Sequence, residues 1–135
     1  MKHCIIHTDG GSRGNPGRAG IGFVIWNEFY KKLFEYKEYI GITTNNVAEY
    51  TALIKALEKC KSFTTEEVSV FMDSELIVRQ MQGKYKVKTE HMKPLFAQVK
   101  KLELSFKKIT FTHVPRENVY QKEADRLVNE ALDEI

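Results

Sequence analysis

The chain has 135 residues, 42% hydrophobic and 29% charged, with a formal net charge of +3. That length leaves room for one domain rather than two full cores, and no apolar run approaches the ~20 residues that a membrane-spanning helix needs. Residues Met1 to Gly11 lack the apolar stretch and cleavage site of a secretory leader, so a single domain over 1–135, cytoplasmic and monomeric, is expected.

His3 to Asp9, with Cys4, Ile5, Ile6 and Thr8, is predicted to be a strand, and the Gly/Pro/Asn cluster Gly10–Gly17 a turn. Ile21–Trp26 is a second, β-branched and aromatic strand. Lys32–Ile40 alternates in part and is predicted to be an edge strand antiparallel to it. Thr44-Asn45-Asn46 offers helix caps ahead of Ala48, Ala52, Leu53, Ala56, Leu57 and Cys60, whose spacing predicts a helix to about Lys61. Val68–Met72 is a fourth strand. Ser74 then opens a helix with Leu76, Ile77, Val78 and Met81, ended by Gly83. An amphipathic helix is predicted from about His91 to Leu104, with Pro94 in its first turn. Ile109–Val114 is the last strand, and Lys122–Ile135 the last helix. Three leading strands followed by alternating helices and strands predict a mixed α/β sheet covered by helices.

Cys4 and Cys60 lie in apolar contexts without a Cys or His at metal-ligand spacing, so buried free thiols are expected and no zinc site. Lys84, Lys86, Lys88, His91 and Lys93 surround Tyr85. Such a stretch suits a phosphate backbone or, equally, a solvated loop.

Four carboxylates stand where a core would not choose them. Asp9 and Asp73 end apolar strands, and acids there point into the crevice where α/β proteins bind ligands. Glu49 falls in line with Ala52, Leu53 and Ala56 on the apolar face of its helix. Asp125 repeats this between Ala124 and Leu127. Two carboxylates ~4 Å apart repel by about 4 kcal/mol at an effective dielectric near 20. If the four converge, the cluster therefore requires cations or shared protons, and oxygen-only ligands suit Mg²⁺ or Mn²⁺.

Four stretches carry a family resemblance. His7-Thr-Asp9-Gly-Gly-Ser-Arg-Gly-Asn-Pro-Gly17, continuing to Ala19-Gly-Ile-Gly22, resembles the opening motif of type I ribonuclease H. Thr43-Thr-Asn-Asn-Val-Ala-Glu49-Tyr-Thr-Ala-Leu53 resembles the second motif, and Phe71-Met-Asp73-Ser-Glu-Leu-Ile-Val-Arg-Gln80 the third. His113-Val-Pro-Arg-Glu117 with Lys122-Glu-Ala-Asp125-Arg-Leu127 resembles the fourth, in the subgroup with a His-Val-Pro-Arg motif. All four occur in the family's order.

The resemblance implies a ribonuclease H-like mixed five-stranded sheet in the order 3-2-1-4-5, strand 2 antiparallel, with helices on both faces. It implies cleavage of the RNA strand of RNA–DNA hybrids by a two-metal-ion mechanism, with Asp9, Glu49, Asp73 and Asp125 binding two Mg²⁺ ions and 5′-phosphate and 3′-hydroxyl ends as products. It further implies that Gly10, Gly11 and Ser12 let backbone approach the minor groove, where 2′-hydroxyls mark RNA. Asn15, Asn45, Asn46 and Gln80 match family positions that touch the hybrid, and Thr44 and Asn45 sit where a DNA phosphate would meet a helix N-terminus.

There are departures from the family pattern. Arg116 stands where many bacterial members carry a mobile histidine, and His113 falls on the strand end and is read as structural. Asn118-Val-Tyr-Gln121 makes the following loop two residues longer than usual. The long Trp-rich basic protrusion of some members is replaced by the shorter Lys84–Lys93 segment, where Lys84, Lys86 and Lys88 are expected to contribute affinity. The alternatives are a same-fold nuclease that also cuts double-stranded RNA, a decayed hybrid-binding module, and a structural domain whose acids are ordinary caps.

Overall fold

The inner strands carry apolar side chains on both faces, which a sheet tolerates only when helices cover both sides. The computed structural model describes residues 1–135. It contains β1 (His3–Gly14), β2 (Gly17–Asn27), β3 (Lys32–Thr43), α1 (Asn45–Cys60), β4 (Glu67–Met72), α2 (Glu75–Met81), α3 (Lys93–Glu103), β5 (Lys108–His113) and α4 (Gln121–Asp133). The sheet order is β3-β2-β1-β4-β5, with β1 antiparallel to β2 and parallel to β4.

Strand periodicity sorts the side chains into two cores. Cys4, Ile6, Phe23, Ile25, Val68, Val70 and Met72 face α1, α2 and α3 in a core of 20 buried residues. The alternate positions Ile5, Val24 and Trp26 face Leu127 of α4 in a smaller one. Cys4 and Cys60 are buried free thiols within the larger core.

Local signals place most element ends. Thr44 caps α1, its hydroxyl accepting from Val47 N at 3.3 Å, and Ser74 caps α2 by accepting from Ile77 N at 3.4 Å. A single 3₁₀ turn, Glu90–Met92, precedes α3, so the predicted helix start near His91 moves to Lys93.

The largest correction concerns Gly10–Gly17. Only Asn15 and Pro16 turn; β1 runs on to Gly14 and β2 starts at Gly17, with Gly10↔Ile21 through Gly14↔Gly17 paired. Gly10, and Gly22 beside it on β2, serve close approach rather than bending. A Cβ on Gly10 would lie 2.4 Å from the Ala48 carbonyl carbon and oxygen, and one on Gly22 would lie 2.6 Å from the Ala124 oxygen. Backbone of α1 and of α4 thus rests directly on the strands. β3 likewise outruns its prediction, reaching Thr43 instead of Ile40.

Gly22→Ala is expected to destabilise by about 1–3 kcal/mol, the range for overpacking a tight site. Gly11→Ala, whose Cβ would meet nothing nearer than 3.8 Å, should fall within about 0.5 kcal/mol of wild type. Denaturant unfolding of the two variants checks this, and equal effects would refute the close-approach explanation.

Candidate active site

Sheet register brings two of the acids together. Pairing of β1 with β4 ends at Thr8↔Met72, so Asp9 and Asp73 are the next residues on neighbouring parallel strands. The chain leaves β1 toward β2 and β3 on one side and returns to β4 and β5 on the other. The crevice at their carboxyl ends is therefore a topological switch point.

Helices bring the other two. Glu49, one turn into α1, arrives over Gly10, whose N–H donates to Glu49 Oε1 at 2.7 Å and to Asp9 Oδ1 at 3.0 Å. Asp125 follows Ala124, whose carbonyl lies over Gly22, and Gly22 is the register partner of Asp9. Asp9, Glu49 and Asp73 each offer an oxygen such that the three lie within 4.8 Å of one another. Asp125 lines the same cleft but stands outside that trio.

The cleft measures about 430 Å³ and is lined by polar residues except for Val128 and Leu132. Asp9 and Glu49 are each only 7% exposed. Desolvation is the main cause that raises the Asp9 carboxyl well above its ordinary range, followed by the charges of Asp73 and Asp125. Glu49 is raised well above its range by desolvation and then by Asp9 and Asp73, opposed by its bond from Gly10. Asp73 is raised by desolvation and the Asp125 charge, against Arg116 and His113. The one cation in salt-bridge range of any of the four is Arg116, with Nη2 3.9 Å from Asp125 Oδ1. A buried, mutually repelling, all-oxygen cluster without an internal counter-charge fits hard divalent cations.

Of the residues singled out from sequence, Gly10, Gly11, Ser12, Asn45, Asn46 and Arg116 line this cleft with the four acids. Asn45 Oδ1 accepts from Ser12 N at 2.7 Å and Ser12 Oγ at 3.1 Å, while Asn15 Oδ1 accepts from Asn45 N at 3.0 Å. Asn15 thus braces the cleft without lining it, and Thr44 is occupied as the α1 cap. Gln80 is 6% exposed and takes the Tyr50 hydroxyl on Oε1 at 2.6 Å, leaving Nε2 without a protein partner. Lys84, Lys86 and Lys88 are exposed, form no ion pair and do not line the cleft. His113 ends β5, its Nδ1 3.9 Å from Glu75 Oε2 and outside the cleft.

Arg13, Ser74 and Asn129 also line the cleft and were missed from sequence. Arg13 bridges to Asn129 Oδ1 at 3.3 Å and to Asp133 at 2.7 Å. The signal that would have found it is strand parity, hidden because the Gly-rich stretch reads as a turn.

A family model described as reverse transcriptase-like matches residues 7–131. The bifunctional protein Rv2228c of Mycobacterium tuberculosis is 46% identical over 96% of this chain, which spans only 35% of that protein's length. The ribonuclease H of Clostridium botulinum is 31% identical over 100% of this chain and 99% of that protein. Among solved structures, LC11-RNase H1 in complex with RNA/DNA hybrid is 53% identical with a TM-score of 0.91, covering 97% of both chains.

The raised carboxyls set a pH dependence. The folded state holds protons that the unfolded state has already released, so without divalent cations the contribution of these three acids to stability is most favourable below about pH 4 and falls as pH rises through the raised values. Asp9→Asn removes one such group. Its cation-free melting temperature at pH 8 is expected to exceed wild type by a few degrees, with a flatter decline from acid to alkaline pH. Calorimetry across that range checks it; a lower melting temperature for the variant would mean that the acids do not repel.

Proposed function

The chain belongs to the ribonuclease H family, and on that premise we propose that it is an endoribonuclease cutting the RNA strand of RNA–DNA hybrids by a two-metal-ion mechanism, leaving 5′-phosphate and 3′-hydroxyl ends. The described residues act as one catalytic domain. The observation that carries this reading is the trio Asp9, Glu49 and Asp73, whose oxygens lie within 4.8 Å at the floor of a polar cleft, with Asp125 on its wall. The LC11 neighbour that was solved with an RNA/DNA hybrid supplies the substrate class.

Asp9, Glu49, Asp73 and Asp125 would hold two Mg²⁺ ions, with Mn²⁺ as a substitute. When bound, such ions supply the charge that makes water nucleophilic near neutral pH and stabilises the oxygen leaving phosphorus. The remaining work belongs to this chain. The Gly10 N–H fixes one oxygen each of Asp9 and Glu49, aiming both carboxylates before a cation arrives. Asn45 spends Oδ1 on Ser12, so its Nδ2 hydrogens are free for acceptors on the nucleic acid. Gly10, Gly11 and Ser12 offer backbone at the minor groove, where 2′-hydroxyls separate RNA from DNA. Asn15, Asn46, Thr44 and Gln80 support or extend that contact surface. Lys84, Lys86 and Lys88 add phosphate affinity without touching the chemistry.

The test is cleavage of a labelled hybrid with Mg²⁺ and with chelator, beside double-stranded RNA and duplex DNA. The expected result is Mg²⁺-dependent cutting of the RNA strand of the hybrid, abolished in Asp9→Asn. Binding without cutting would identify a decayed module. Equal cutting of double-stranded RNA would widen the substrate class, and full activity in Asp9→Asn would refute the site.

Arg116 is the mobile basic group in this reading. It is 74% exposed, lines the cleft and faces Asp125, whereas His113 ends a strand outside it. Arg116→Ala is expected to lower kcat about tenfold or more, each tenfold being ~1.4 kcal/mol of barrier, with Mg²⁺ affinity nearly intact. His113→Ala should keep a near-wild-type kcat. A folded but crippled His113→Ala beside a normal Arg116→Ala would reverse the assignment.

A further inference from the structure

The first residue of α4 is tied to β1 by a buried polar chain. Gln121 is fully buried, and its Nε2 donates to the carbonyl of Thr8 at 2.7 Å. Its Oε1 therefore faces His7 Nδ1, 2.9 Å away. An amide oxygen only accepts, so His7 carries its proton on Nδ1. The ring is 1% exposed, stacked on Phe71 at 4.8 Å and edge-on to Trp26 at 5.3 Å. Its Nε2 has no partner, so a proton there would be a buried unpaired N–H, and the ring stays neutral.

This chain spans two of the four acids. Thr8 immediately precedes Asp9 and is the last β1 residue paired with β4. Asp125 follows Gln121 by one helical turn, on the same face of α4. Asp125 itself has no close cationic partner: the nearest is Arg116, at 3.9 Å, while its acidic neighbour Asp9 repels it, and its place depends on that of the helix. Tyr30 and Tyr120 stack 4.0 Å apart beside this point, and Trp26 and Leu127 pack nearby. A leucine or methionine would fill such surroundings without the cost of burying an amide. The hydrogen bonds are what distinguish glutamine there.

We propose that Gln121 is a positioning residue that sets the separation of Asp125 from Asp9, and through it the affinity of the carboxylate cluster for divalent cations. The proposal rests on the nuclease reading above.

The test compares wild type, Gln121→Met, His7→Phe and the double variant, each as the full chain. The readouts are melting temperature without cations, Mn²⁺ affinity by calorimetry, and kcat and KM on the hybrid. In Gln121→Met the Mn²⁺ dissociation constant is expected to rise about tenfold, kcat at subsaturating Mg²⁺ to fall, and KM for the hybrid to stay within about twofold. Its melting temperature should drop, because His7 Nδ1 and the Thr8 carbonyl lose a partner. The double variant removes the orphaned imidazole donor, so it should regain melting temperature but not Mn²⁺ affinity. It also keeps the proposal testable if Gln121→Met alone does not fold. A double variant that regains both, or a Gln121→Met protein with wild-type Mn²⁺ affinity, makes the chain a packing device only and overturns the proposal. A wild type that neither binds Mn²⁺ nor cuts the hybrid overturns the nuclease reading itself.

Discussion

Two helices lie on bare strand backbone, and the carboxylate cluster depends on it. At Gly10 the Ala48–Glu49 peptide of α1 occupies the space of a side chain, and at Gly22 the Ala124 carbonyl of α4 does the same. Gly10 follows Asp9 and Gly22 is its register partner, so both approaches are centred on one acid. A normal helix–sheet packing distance, set by side chains on both layers, would hold Glu49 and Asp125 back from Asp9. Glycine at these positions costs strand stability through backbone entropy, and what it permits is the convergence of helix-borne acids on a strand-borne one.

That convergence works against the fold. Burial and mutual repulsion raise the carboxyls of Asp9, Glu49 and Asp73, so each ionised acid at neutral pH subtracts from stability. The 20-residue core on one face and the Leu127 core on the other carry that load. Cations bound to the cluster would return part of it by mass action. Stability and site are thus coupled through a single charge imbalance, which Arg116, exposed at the rim, offsets only weakly.

The four acids also differ in how firmly they are held. Asp9 is paired with Gly22 of β2, Asp73 directly follows the last paired residue of β4, and Asp9 and Glu49 share the Gly10 N–H. Asp125 rides on α4, whose outer face is secured by exposed ion pairs such as Lys37 to Glu130 and Glu134 and Lys32 to Glu123. Pairs of that kind contribute little each. The ties at its N-terminus are the firmer ones: the half-buried Asn118 Oδ1 accepts from the N–H groups of Tyr120 and Gln121, and the buried Gln121 reaches β1.

By itself the sequence determined the element types and their order, because hydrophobic period and caps are local properties. Thr44 and Ser74 mark helix starts, the spacing from Ala48 to Cys60 marks one apolar face, and all four acids are visible as residues that a core would avoid. Motif resemblance added the strand order. Only the tertiary structure decided three things. It extended β1 and β2 through the Gly-rich stretch, because Gly10 answers to a helix distant in sequence and the local turn is confined to Asn15 and Pro16. It drew Asp9, Glu49 and Asp73 into a trio with Asp125 beside them, since strand register and helix depth are set by packing between segments distant in sequence, such as the 116 residues that separate Arg13 from Asn129. And it joined His7, Thr8 and Gln121 into one buried chain, because a hydrogen bond between a strand and a helix leaves no periodicity in the sequence to read.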